Sequence, residues 1–568
     1  MYSSMPIIIA VVLFIGSLID GNRSWVPIIY LGLSMLITWG LIYYSMPSRN
    51  MLSVLAFSSV MGVFTLVLSL TTTNIMGDLS DKYSSVNGTL LMIISIATAI
   101  VFFVAMGGEL HSWLSVKPSA ESVQVVKAKS SEAPTFKRGE TPVASSPKTI
   151  MNKVHKSMSD VPNSQYYSLG KMQAQYYRGQ AVYIIPINFR GYFASKQAHN
   201  TIPGYFMISA TSTGSNPIFV KKPMKYSNSS YFSKNAFRKL YLKYPEWLVR
   251  DSTEPQLEID DNGVPYYVQT VYKPEQFSHR IDFRDLHVTI LNALNGKMGL
   301  YKTTNMPKFI DEGITSDVAS EINTYYGEYR YGRFNFSHKG VKKPTGNGTD
   351  DGVTPVFNRN GSISYFTDFT NPNGDTDSAL GYSMINARTG KMTYYSTKGI
   401  MDSSGARKNA DQNYRSQRWK TYMPILYNVS GKPTWVLSVL DSTGSFRGYT
   451  YLDASDQSVY ATGSNATTAL DSYRDALASN SASAGNTAGV KTTVFTGKLG
   501  RTVLVPQSSG SAQMLAVIDN SPIIFTIDTG QFTDAPLAQK GDKVQIKAQV
   551  VKGSHTANAN SFKDFDIK

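Results

Sequence analysis

The loop Asn371-Pro-Asn-Gly-Asp-Thr-Asp377 sets four oxygen-bearing side chains, Asn371, Asn373, Asp375 and Asp377, at alternate positions. That density of oxygens is what a calcium ion needs. The loop lacks the glutamate that closes an EF-hand, and the same residue types build polar turns that satisfy their own backbone, which is the favoured reading. Calcium is thus the one cofactor the sequence admits, and no other is expected. Seven histidines, at 111, 155, 199, 279, 287, 338 and 555, form no H-E-x-x-H spacing, and neither a G-x-S-x-G elbow nor a Walker loop occurs. His287 lies between Leu286 and Val288, a half-exposed sheet position rather than a ligand. The absence of cysteine excludes disulfide scaffolds, thiolate zinc sites, iron–sulfur clusters and cysteine nucleophiles. No catalytic residue and no enzymatic activity are expected. An envelope hydrolase built on the 371–377 loop or on His287 is an alternative.

Two other groups of residues carry binding chemistry. Tyr267, Tyr365 and Trp435 stand in aromatic, β-branched runs and would offer rings to a partner protein. Lys234, Arg238, Lys239 and Lys243, with Lys221, Lys222 and Lys225 nearby, could meet an anionic surface, although such a run is more often a solvated helix face.

The elements that must position these residues begin with four apolar stretches, 6–19, 25–44, 51–70 and 89–106. The last three are long enough to cross a hydrocarbon core of about 30 Å. The first reaches that length only with residues 1–5 included. No Lys or Arg precedes it, which argues against a cleavable signal peptide. No ionisable Asp, Glu, Lys, Arg or His interrupts any stretch, so the expectation is an anchor rather than a proton relay or ion path. Four spans leave both termini on one side. Arg49 against Arg23 and Lys82 places the large C-terminal region outside, whereas Lys117, Lys127 and Lys129 reverse that vote. Composition breaks the tie: abundant Tyr, Ser, Thr, Asn and Gly and no cysteine suit an extracytoplasmic surface.

Residues 115–160 are rich in Ser, Ala, Val, Pro and Lys in no periodic order and read as a disordered basic tether. Between 114 and 179, ten basic residues against four acidic ones supply six of the chain's +15 net charge. Anionic lipid headgroups or wall polymers are the expected partners of such a tether, with nucleic acid a third option if the region is cytoplasmic. A second linker is expected at 480–492.

Between the linkers the chain repeats itself. Gly263-Val-Pro-Tyr-Tyr-Val-Gln-Thr-Val271 recurs as Gly431-Lys-Pro-Thr-Trp-Val-Leu-Ser-Val439 and loosely as Gly361-Ser-Ile-Ser-Tyr-Phe-Thr-Asp-Phe369. Downstream, Asn292-Ala-Leu-Asn-Gly-Lys-Met298 recurs as Asn386-Ala-Arg-Thr-Gly-Lys-Met392, with a degenerate copy at Asp453-Ala-Ser-Asp-Gln-Ser-Val459. The second motif predicts a hairpin, because Asn-Gly tolerates the positive φ of a tight turn. Amphipathic helices are expected ahead of the strands, with Phe237, Leu240, Tyr241 and Tyr244 on one stripe, Val318, Ile322 and Tyr325 on another after an N-cap at Ser316, and Ala406, Ala410 and Tyr414 on a third. A last helix carries Leu470, Tyr473 and Leu477.

A helix followed by antiparallel strands, closing on Leu291-Asn-Ala-Leu-Asn-Gly-Lys297 or Ile385-Asn-Ala-Arg-Thr-Gly-Lys391, resembles the PepSY-type repeat. That resemblance implies an extracytoplasmic, non-catalytic module that binds or inhibits in peptidase and cell-envelope settings. The third hairpin departs from it by lacking the glycine–lysine pair.

From 493 onward the pattern is all β, with strands expected at 493–497, 502–506, 514–518, 523–527 and 543–551, which suggests a small OB-like barrel. Its few aromatics, Phe495, Phe525, Phe532, Phe562 and Phe565, disfavour nucleic-acid binding by base stacking. The fold class is therefore multidomain: a four-helix transmembrane anchor (1–114), the tether (115–160), tandem α+β PepSY-like repeats (161–479), the linker and an OB-like β-barrel (493–568). The expected function is that of a multi-pass, membrane-anchored binding or regulatory protein that meets an envelope protein or anionic polymer. The alternative is a membrane-tethered cytoplasmic nucleic-acid or assembly factor of phage or mobile-element type.

Overall fold

A computed structural model describes residues 1–567 except 20–25, 78–84, 130–133, 136–139, 142, 249–253, 374–376, 485–489, 507–511 and 552. The apolar stretches are helices, Ser4–Ile19, Val26–Ser45, Met51–Gly77 and Ser85–Leu114. Three contain runs long and apolar enough to cross a membrane, Ile28–Ser45, Met51–Leu68 and Met92–Leu114, and the first has a shorter apolar run, Ser4–Gly16. Their outer faces are bare of cover, with Trp39 and Phe103 about 70% exposed, a surface suited to hydrocarbon rather than water. Inside, Ile9, Leu13, Leu66 and Ile94 pack together. The buried hydroxyls of Ser34 and Thr65 pair at 2.7 Å, which satisfies them where water is excluded.

The described residues of 115–160 are not a structureless tether. They supply a helix, Val116–Ser122, a strand, Val125–Lys129, and a second helix, Pro147–Lys156. The strand runs parallel to Met392–Ser396 and extends that sheet. Val116, Ala120, Val123, Ala144, Ile150 and Val154 are buried. Ser119 donates to the carbonyl of Ile281, and the Phe283 amide donates to Ser122 Oγ. Small aliphatic residues thus gain their cover from segments far along the chain, which offsets the ordering entropy that local composition could not.

Four units follow, each a helix and a four-stranded antiparallel meander. The first has helix Pro147–Lys156 and strands Gln173–Tyr177, Gln180–Phe189, Ile202–Ser209 and Ile218–Met224. The second has helix Ala236–Lys243 and strands Gln256–Ile259, Pro265–Tyr272, Leu286–Asn292 and Met298–Lys302. The third has helix Ser316–Gly327 and strands Thr354–Phe357, Ile363–Thr370, Ala379–Asn386 and Met392–Ser396. The fourth has helix Ser403–Gln412 and strands Lys420–Val429, Lys432–Leu440, Phe446–Asp453 and Tyr460–Gly463.

The units agree bond by bond. A glycine between the first two strands, Gly179, Gly263, Gly361 or Gly431, has φ between +69° and +88°, which a residue with a Cβ adopts only at a cost. After the third strand comes a buried alanine, Ala210, Ala293, Ala387 or Ala454. The alanine amide donates to the residue two past that glycine, at 2.9–3.0 Å, and its carbonyl accepts from the segment leading to the unit's helix, at 2.7–2.9 Å. The preceding Ser209, Asn292, Asn386 or Asp453 caps the turn by accepting two backbone amides. Each helix is N-capped by a side chain, Ser146, Asn235, Thr315 or Asp402, worth about 1 kcal/mol apiece. Thr315, not Ser316, is the cap of the third helix.

The helix Ala466–Ala484 packs on the fourth sheet through Leu470, Tyr473 and Leu477. It also reaches the C-terminal module, where Thr556 donates to Asp475 at 3.2 Å. The linker expected at 480–492 is thus helix to Ala484, and the barrel starts at Val490. Five strands close the barrel. The strands expected at 493–497 and 502–506 are one strand, Val490–Val505, which pairs with Lys543–Val551 along one half and with Gln513–Ile518 along the other. The register shifts between Leu499 and Arg501, so a single strand bends to serve both neighbours. The fifth strand is Thr556–Asp564, parallel to Ile524–Asp528. Its alternation of polar residues with Ala557 carries too weak an apolar signal to announce a strand.

Candidate functional site

A cavity of about 240 Å³ opens between the first and third units, lined by Met151, Lys171, Tyr183, Glu312, Asp351 and Tyr365 among others. Glu312 at its floor is backed by two further acids, the buried Glu258 and the half-buried Asp311. Glu258, on the second unit's first strand, is wholly buried and accepts the amides of Asp311 at 2.8 Å and Glu312 at 3.1 Å. Those two amides hold the Asp311-Glu312 step in place just before the third helix. Arg388 fixes the same segment from the other side. Its guanidinium donates to the carbonyls of Met306 at 2.7 Å and Pro307 at 3.0 Å and also to that of Ile310. Arg388 belongs to the Asn-Ala-Arg-Thr-Gly-Lys hairpin, so the repeat motif and the site are mechanically joined.

Glu312 Oε1 accepts from the Tyr365 hydroxyl at 2.6 Å. Its Oε2 and the Tyr183 hydroxyl are buried with no hydrogen-bond partner. Burial pushes the Glu312 carboxyl up to about 8, helped by the neighbouring charge of Asp311. Burial likewise raises Asp311 to about 6 and Glu258 well above the usual carboxylate range. At neutral pH Glu312 therefore carries a proton. At the rim the Lys171 ammonium bridges Asp317 at 3.3 Å and Asp351 at 3.0 Å, and Ser316 donates to Asp351 at 2.5 Å. The site offers an apolar wall, an ammonium already seated between carboxylates, and two buried polar atoms awaiting a partner.

The residues singled out from sequence take other places. Tyr267, Tyr365 and Trp435 are at most 2% exposed; they are core, not a contact surface. Trp435 donates its indole N–H to the Met401 carbonyl at 3.0 Å, and of the three only Tyr365 reaches the site, through Glu312. The error was one of exposure: an aromatic, β-branched strand buried on both faces does not differ in sequence from one with an exposed aromatic face. Arg238 lies 3.7 Å over the Tyr43 ring and donates to the Tyr43 carbonyl at 3.1 Å, so it touches the apolar helices. Lys234 and Lys239 both sit 4.9 Å over Tyr226, and Lys243 is exposed.

In the oxygen-rich loop, Asn371 accepts the Asn373 amide, Asn373 Oδ1 faces His338 at 3.2 Å, and Asp377 pairs with Lys408 at 2.8 Å. Asp375 lies outside the described residues. Among the described residues no three His, Asp or Glu side chains are placed to hold a metal ion. His287 is half-buried, its ring 4.5 Å from that of Trp247. Glu258, Asp311, Glu312 and Lys171 were missed, and the available signal was an acid within the strand Gln256-Leu-Glu-Ile259, where an uncompensated charge is costly.

No family model and no curated protein matches the chain. Among solved structures it is similar to the YpeB C-terminal domain of Bacillus megaterium, at 13% identity over 45% of this chain and 100% of that one, with a TM-score of 0.11. Bacillus subtilis levansucrase aligns at 8% identity over 77% of this chain and 98% of that one, with a TM-score of 0.16. At these TM-scores neither likeness bears on what the chain does.

Proposed function

We propose that this chain is a membrane-anchored, non-catalytic binding protein. Four helices hold a tandem PepSY-like array and an OB-like barrel on the extracytoplasmic side, and the array captures a segment of an envelope protein. The observation that carries the reading is the pair of buried, unpartnered atoms at the cavity floor, Glu312 Oε2 and the Tyr183 hydroxyl. A buried polar group without a partner costs about 1–3 kcal/mol, which a ligand group can recover. At about 240 Å³ the cavity is smaller than the usual small-molecule pocket and suits a single side chain. An apolar stem ending in an ammonium fits: the stem meets Met151, Met172 and Tyr183, and the charge meets the Glu312 carboxyl, since Asp317 and Asp351 are already paired with Lys171.

The test is calorimetric titration of the full chain in nanodiscs with Nα-acetyl-lysine amide, against the norleucine amide as the uncharged control. The lysine probe should bind and the norleucine probe should not, and Glu312→Gln should abolish the difference. Because the cation favours an ionised Glu312, affinity should rise with pH toward about 8. Equal affinity for both probes would refute the site. Orientation is tested separately with Lys540→Cys, a unique thiol on the barrel, and an impermeant reagent on intact cells; protection until lysis would refute the extracytoplasmic placement.

A further inference from the structure

Three segments of the array end on two ends of the apolar helices. Around residues 43–52, Arg238 covers Tyr43, the Tyr241 hydroxyl donates to the Pro47 carbonyl at 2.8 Å, and the Leu52 amide donates to the Gln276 carbonyl at 2.7 Å. Asn50 donates to the Glu275 carbonyl at 2.9 Å, and Ser53 meets His279 at 2.8 Å. At the end of the fourth helix, Ser112 accepts the His279 amide at 3.0 Å, and Arg333 lies 4.4 Å over Trp113 and donates to its carbonyl at 3.1 Å. These contacts fix which face of the array adjoins the helix ends.

Several of the array's exposed large apolar side chains lie next in sequence to these contacts, while others, such as Ile218 and Tyr460, lie elsewhere. Among the described residues of 115–484, the phenylalanines and leucines left exposed are Phe193, Phe232, Leu242, Phe277, Phe334 and Phe336. Leu242 follows Tyr241, Phe277 follows Gln276 and Phe334 follows Arg333, three residues that touch the helix ends. The Phe334 ring also lies 6.1 Å from that of Trp113. Phe232 leads into the helix that carries Arg238, and the Tyr192 ring joins it to Phe193. None of the six comes from the fourth unit, Ser403–Gly463. Lys234, Lys239 and Lys243 share the Arg238 segment.

We infer that this face of the first three units lies in the headgroup layer of the bilayer, with Phe193, Phe232, Leu242, Phe277, Phe334 and Phe336 entering the acyl boundary and the exposed Lys243 facing anionic headgroups. Apolar side chains rimmed by basic ones, continuous with the ends of membrane-crossing helices, are the arrangement that binds an anionic interface. The array then lies flat on the membrane rather than standing away from it. The inference rests on the reading that the apolar helices cross the bilayer.

The chain has no cysteine, so single thiols report position. In nanodiscs of phosphatidylcholine and phosphatidylglycerol, the full chain carries a fluorophore at Phe336→Cys, or at Phe277→Cys as an independent reporter, and is quenched by lipids with a nitroxide just below the headgroup, with a chain-end nitroxide used for the mid-span label at 103. Phe103→Cys reports the span and Lys540→Cys the barrel. The labels at 336 and 277 should lose most of their emission, as the 103 label does, while the 540 label keeps its own. Quenching at 103 but not at 336 or 277 would overturn the docking and leave the anchor intact. No quenching at 103 would overturn the spanning reading and the docking with it.

Discussion

Replacing Glu312 by glutamine should flatten the pH dependence of the array's stability. The Glu312 carboxyl titrates at about 8 in the fold against 4.5 when free, and desolvation is the main cause. Between those values the folded chain holds a proton that the unfolded chain has released, so stability falls as pH rises through the window and levels off above pH 8. Each pH unit in that window is worth about 1.4 kcal/mol, so the step from pH 6 to pH 8 costs the wild type about 2–3 kcal/mol through this group alone. Asp311, at about 6, contributes mainly below that step, and Glu258 adds in the same direction. Glutamine copies the neutral acid and keeps an oxygen for the Tyr365 hydroxyl, so Glu312→Gln should match the wild type near pH 5 and exceed it at pH 8. The assay is the urea midpoint of β-structure loss in nanodiscs at pH 5, 6, 7 and 8. Parallel wild-type and variant curves would show that Glu312 is already ionised, and the account of a neutral cavity floor would be wrong.

Two further substitutions test the array. Trp435→Ala removes a wholly buried indole and its bond to the Met401 carbonyl; it should cost about 3–5 kcal/mol and open the fourth unit to limited proteolysis, and an unchanged digestion pattern would contradict its core position. Arg388→Ala frees the carbonyls of Met306, Pro307 and Ile310, with an expected loss of about 3 kcal/mol. It should also raise amide exchange at residues 306–312, whereas Arg388→Lys should recover only part of the protection because an ammonium lacks the planar fork.

Periodicity and turn chemistry carried much of this architecture in the open. A run of apolar residues as long as a bilayer is thick needs no partner to be recognised, and a glycine at positive φ or an Asn-Ala-x-x-Gly hairpin is specified within a few residues. Three of the four units were legible for that reason. The first was not, because Ser209-Ala-Thr-Ser212 performs the same turn and the same alanine bonds without the glycine–lysine pair. The alanine after a Ser, Asn or Asp cap is the feature all four share, and it is too common a dipeptide to stand out.

Whatever depended on distant cover was decided only in three dimensions. Residues 115–160 look disordered by composition, yet Val116–Ser122 is a helix and Val125–Lys129 a strand because Ile281, Phe283 and Met392–Ser396 lie beside them. Tyr267 and Trp435 read as a binding surface and are core, since sequence records a strand's residue types but not how many of its faces are covered. The cavity draws Tyr183 from the first unit, Tyr365 from the third and Glu312 from the segment ahead of the third helix. Each acid looks ordinary alone, and its raised pKa arises from the shared burial that folding imposes. The sequence by itself determined the apolar helices, the repeating hairpins and the β-rich end, because those are local consequences of backbone and side-chain sterics. Tertiary structure decided which side chains are dry, and desolvation, which makes an isolated carboxyl hold its proton, is a property of the assembled neighbours.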